Sequence, residues 1–86
     1  MTIWKYALPL RDLAEVSMPA HARIIHVGTQ NEAPFLWAVV DPAAPHKIRH
    51  LRVAGTGHPL GNVGPYVGSF MLGGGAPVFH VFEMPT

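Results

Sequence analysis

Apolar and polar positions alternate along this chain in short runs, which nine prolines and nine glycines cut before any reaches helical length. Strict alternation over four to eight residues is the signature of a half-buried strand. The pieces between the cuts are also rich in Val, Ile, Phe, Trp and Tyr, which favour the pleated conformation. The pattern predicts six or seven strands. Residues 2–8 form the first, with Ile3, Lys5 and Ala7 on one face and Trp4, Tyr6 and Leu8 on the other. Residues 10–15 are open to two readings, a helical turn capped by Asp12 or a short strand over 14–18. Residues 22–29 and 35–41 read as strands joined by the turn at 30–34 in an antiparallel hairpin. The second is so continuously apolar that it predicts a central strand covered on both faces. A stiff loop at 42–45 precedes a strand at 47–55, where Arg49, Leu51 and Val53 alternate with Ile48, His50 and Arg52. After a long Gly/Pro loop at 55–65, strands at 66–72 and 78–83 are joined through 73–77.

Strands at this spacing with Gly/Pro turns predict an all-β, mainly antiparallel domain, a small sandwich or partly open barrel. The expected core draws on Trp4, Ile24, Leu36, Trp37, Val39, Leu51, Val53, Phe70, Val78, Phe79 and Val81. Eighty-six residues predict one domain, spanning 1–86. A chain of this size buries roughly 60–65% of its unfolded surface, leaving little room for a deep ligand cavity. Apolar residues make up 49% and charged residues 13%, a balance that excludes disorder.

The chain has no cysteine, which removes disulfides, thiolate metal sites and cysteine nucleophiles together. Small secreted domains usually depend on disulfides, so the expected compartment is a reducing cytoplasm. The first residues show no signal-peptide pattern, and no apolar run approaches the roughly 20 residues that span a bilayer. Net charge is only +1, too little for direct nucleic-acid binding to be expected. Its distribution is uneven. Residues 42–82 hold Lys47, Arg49 and Arg52 with no carboxylate, whereas residues 1–41 carry one negative charge in excess.

Six histidines raise the question of a metal. His46 and His50 would share a helical face, but four residues along a strand span about 13 Å, too far for one ion. No metal site and no cofactor are expected. The loop at 55–64 is glycine-rich, yet it lacks the Lys-Ser/Thr ending of a phosphate loop and no helix pattern follows it. It reads first as a turn, with Thr56 and His58 as its candidate ligand contacts. Ser17 and Ser69 lie outside any nucleophile-elbow context and no carboxylates pair, so no catalytic residue is expected. The densest cationic run, residues 46–52, supplies the candidate contact surface, namely Lys47, Arg49, His50 and Arg52. Its bland reading is a solvated edge strand protected from aggregation by its charges. Trp4, Tyr6 and Trp37 could serve as stacking platforms but are expected in the core.

Several stretches carry a family resemblance. They are Ile3-Trp4-Lys5-Tyr6, Val16-Ser17-Met18-Pro19, Leu36-Trp37-Ala38-Val39-Val40-Asp41-Pro42, Gly55-Thr56-Gly57-His58-Pro59, Tyr66-Val67-Gly68-Ser69-Phe70 and Val78-Phe79-His80-Val81-Phe82-Glu83. Together, in order across nearly the whole chain, they resemble a group of short, functionally uncharacterised proteins of phages, prophages and bacterial genomes. The resemblance implies one compact domain and carries no catalytic residue across. Small proteins of mobile elements include inhibitors of host defence. The expected function is therefore a non-enzymatic interaction protein that occupies a host protein or nucleoprotein complex, an anti-CRISPR or other anti-defence role included. The alternative is a small-ligand or nucleotide-binding module built on the loop at 55–64. Metal-dependent hydrolysis is a third, weaker reading. Homodimerisation through a strand edge is open to a domain of this kind.

Overall fold

The structure, a computed structural model, describes residues 1–74 and 76–85. Seven strands follow one another along the chain: β1 (Thr2–Ala7), β2 (Leu13–Pro19), β3 (Arg23–Gln30), β4 (Ala33–Val40), β5 (His46–Gly55), β6 (Tyr66–Met71) and β7 (Val78–Glu83). Every ladder is antiparallel. Sheet A has the order β1-β4-β3 and sheet B the order β2-β5-β7-β6. The protein is a small all-β sandwich, and the expected β3–β4 hairpin is present. Of the two readings of residues 10–15 the strand holds, because Ala14, Val16 and Met18 alternate into the interior as β2. The β3–β4 turn is tighter than the sequence pattern predicts. Gln30 pairs with Ala33, and Asn31 and Glu32 between them both take positive φ, 51° and 63°. That is the left-handed turn whose twist matches a hairpin. Glu32 accepts the Gly73 N–H at 3.0 Å, which ties the unusual conformation down.

The core lies between the sheets. Leu36, Ala38 and Val40 of β4 face Met18, Leu51, Val53, Phe70 and Val81 of sheet B. The rings of Phe70 and Phe79 stack across β6 and β7 at 5.3 Å. Where the sheets meet, β6 comes against β3, and a side chain at Gly68 would run into Val27 within 3.1 Å. Any larger residue there would have to push the Val27 side chain aside. The hydroxyl of Tyr6 is buried with no hydrogen-bond partner among the described residues. Burial pushes its pKa up.

Three expectations are corrected here. β4 is central in its sheet, but only one of its faces is covered. Leu36, Ala38 and Val40 are buried, whereas Phe35, Trp37 and Val39 lie half-buried on the outer face, outside the core. Trp4 points inward from the end strand and remains 38% exposed. The basic strand is not an edge, since β5 sits between β2 and β7. Of its charges, Arg49 and Arg52 find partners inside the molecule, whereas Lys47 is exposed.

β5 and β6 run parallel with β7 between them, so the loop at 56–65 is a crossover. Arg52 fastens it. Its guanidinium donates to the carbonyls of Pro59 at 2.8 Å, Leu60 at 3.3 Å, Val53 at 2.8 Å and Asp12 at 3.2 Å.

Candidate interaction surface

The outer face of sheet A is assembled from alternate residues of three strands. β1 supplies Ile3 and Lys5, and β4 supplies Phe35, Trp37 and Val39, which stand opposite Ala7, Lys5 and Ile3 in register. On β3 a bulge between Ile24 and His26 resets the alternation. Arg23 and His26, three residues apart, consequently share this face. His26 packs against Trp37 with centroids 5.2 Å apart, and the Phe35 ring lies 6.4 Å from the indole. A side chain at Gly28 would come within 2.9 Å of the His26 imidazole. Glycine at that position lets the ring lie along the sheet. Lys5 crosses β4, its ammonium 4.6 Å from the centre of the Phe35 ring, and donates to Gln30 Oε1 at 3.0 Å. The face thus has an apolar and aromatic centre, Ile3–Val39–Trp37–Phe35, with Ile3 57% exposed. The strands of sheet A carry Lys5 and Arg23 and no carboxylate.

The residues expected to form a basic contact surface do not converge. Lys47 is exposed near the start of β5. Arg49 turns to the inner face with Leu51, where it donates to Glu83 Oε1 at 2.5 Å and to the Ala22 carbonyl at 2.6 Å. This ion pair forms one wall of an open cleft of about 620 Å³ that Tyr66 and Pro85 also line. His50 and Arg52 lie on the opposite, outer face. His50 Nδ1 is 3.4 Å from Glu15, and Arg52 holds the crossover, with Asp12 at 3.5 Å. Within the crossover, Thr56 bonds His80, while the His58 ring covers Gly55. Among the described residues no three His, Asp or Glu side chains are grouped to hold a metal.

A polar chain that the sequence reading missed runs over the outer face of sheet B. The Tyr66 hydroxyl meets Ser69 Oγ at 2.7 Å, Ser69 Oγ meets His80 Nδ1 at 2.8 Å, and His80 Nε2 meets Thr56 Oγ1 at 2.7 Å. Placing the imidazole proton on Nε2 satisfies the whole chain. Tyr66 then donates to Ser69, Ser69 to His80, His80 to Thr56, and Thr56 to the Val78 carbonyl at 3.4 Å. Three hydroxyls and one imidazole make up this chain. The signal for it lay in the β6–β7 register. Counting back from the connection sets Met71 against Val78 and Ser69 against His80. Within that connection, residues 73–77, Gly75 lies outside the described residues.

Fold and surface define a small antiparallel β sandwich with one uncovered aromatic sheet face. Residues 1–86 match the model of a family described as a domain of unknown function, DUF7352, and the chain belongs to that family. No curated protein and no solved structure matches it. No helix among the described residues is long and apolar enough to cross a membrane.

Proposed function

We propose that this protein is a non-enzymatic interaction protein of phage or prophage type. It acts in the bacterial cytoplasm by occupying a host macromolecule, a CRISPR effector or other defence complex being the target class. One observation supports the reading: Phe35, Trp37 and Val39, apolar residues of a central strand, lie half-buried on a sheet face crossed by the Lys5 and His26 side chains but by no further strand of the described chain. Contiguous apolar surface on a small soluble domain is a mark of partner contact. Trp37 beside Phe35 supplies the rigid aromatic area that dominates such contacts. Affinity capture of the tagged protein from host lysate tests this. The expected result is one stoichiometric complex retained by the wild type; an eluate without one contradicts the reading.

A second reading is a small-ligand or nucleotide-binding module built on the loop at 55–64, in which Thr56 and His58 are exposed. A thermal-shift series with nucleotides and phosphorylated metabolites separates the two. Stabilisation by one of these ligands would favour the loop.

A further inference from the structure

The two sheets present four strand edges, and three are blunted. β3 and β6 lie against each other, and each carries a register break. β2 presents Glu15 and closes on Pro19. β1, Thr-Ile-Trp-Lys-Tyr-Ala, has no proline, glycine or bulge, and among the described residues it pairs only with β4. Its one charge, Lys5, is drawn back across Phe35. Bare edges of this kind are templates for pairing with another strand.

The ladder shows which backbone groups are open. Leu8 N–H donates to the Pro34 carbonyl at 3.1 Å, one step beyond the β1–β4 register. Hydrogen-bonded pairs alternate in an antiparallel ladder, so Thr2, Trp4 and Tyr6 direct their N–H and C=O groups to β4. Ile3, Lys5 and Ala7 direct theirs outward.

We propose that β1 pairs antiparallel with β1 of a second copy about a two-fold axis at Trp4, joining two sheets A into one six-stranded sheet. The inference stands apart from the function proposed above. The axis is perpendicular to the sheet, so paired residues share a face. Ile3 then exchanges hydrogen bonds with the partner's Lys5, and Lys5 with the partner's Ile3. Trp4 meets the partner's Trp4 at a non-hydrogen-bonded position, where side chains approach most closely. That contact covers an indole left 38% exposed at the edge. An axis at Lys5 would set two ammonium groups side by side, and one at Ile3 would set each indole against a threonine.

The chain contains no cysteine, so a single introduced cysteine reports its own mate. In the proposed register the Trp4 pair lies about 4.5 Å apart between Cα atoms, within disulfide reach. Ile3 lies roughly 8 Å from the partner's Ile3, beyond reach. Trp4→Cys should therefore cross-link under mild oxidant about ten-fold faster than Ile3→Cys. Light scattering of the wild type should give twice the 9.3 kDa chain mass. Lys5→Pro removes an outward N–H and no bond to β4, so a folded Lys5→Pro variant should return to the single-chain mass. A wild type that remains a single chain up to millimolar concentration would overturn the proposal. So would equal cross-linking of the two cysteine variants, or a dimer that survives Lys5→Pro.

Discussion

The two outer faces of this sandwich are built from the same alternation and arrive at opposite chemistry. Around sheet B many polar groups pair with one another: Glu15 beside His50, Asp12 beside Arg52, and Tyr66, Ser69, His80 and Thr56 in a single hydrogen-bonded line. The exposed apolar residues there, Leu13, Ile48, Tyr66 and Met71, are separated by those polar groups. On sheet A the apolar residues are contiguous and both full charges are positive. The comparison teaches that cationic side chains are not a reliable pointer to a contact surface when the fold supplies their counter-groups. Arg49 and Arg52 hold the molecule together, and the face with the fewest polar groups is the one left without an internal partner.

Four substitutions sharpen this contrast between inner layer, fastened face and open face. The largest effect belongs to the inner layer. Leu51→Ala, at a fully buried position of β5, should cost about 2–5 kcal/mol in urea unfolding, since the core collapses only partly around the void. Arg52→Ala comes next. It removes a donor from four carbonyls, of which that of Asp12 keeps the Val53 N–H, and should cost about 1–2 kcal/mol. Faster amide exchange through residues 57–65 would locate that loss in the crossover.

Tyr6→Phe should go the other way. It removes a buried hydroxyl without a partner and should stabilise by up to about 1 kcal/mol. Because burial raises the Tyr6 pKa, the folded state holds its proton more tightly than the unfolded chain does. Its contribution to stability is complete below the unfolded value of 10.0 and is lost as pH rises through the folded value. Wild-type stability should fall above pH 10.0, and the fall should be smaller in Tyr6→Phe. The open face comes last, where Val39→Glu, at a half-buried position, should cost about 1 kcal/mol. A loss comparable to that of Leu51→Ala would place Val39 in the core after all.

Much of the architecture was legible from alternation alone. The strand Val78–Glu83 has the boundaries predicted for it, the two faces of β1 divide as expected, and β3 and β4 form the expected hairpin. The continuous apolar run at 35–40 hid the essential asymmetry. Its odd-numbered residues are as hydrophobic as its even-numbered ones, so no pattern within the strand says which face is covered. The partners of Arg49 and Arg52 were equally hidden. Glu83 is 34 residues from Arg49 and the Asp12 carbonyl is 40 from Arg52, separations that only the folded topology closes. The contacts of Ser69 and Thr56 with His80 needed the pairing of strands as well as their existence.

The most direct test sets the two faces against each other in one capture experiment. Val39→Glu places a carboxylate in the centre of the sheet A face, and Ile48→Glu places one on an exposed position of sheet B. With both variants folded as judged by their unfolding midpoints, the complex held by the wild type should be lost from Val39→Glu and kept by Ile48→Glu. The reverse pattern would contradict the assignment of the outer face of sheet A as the contact surface.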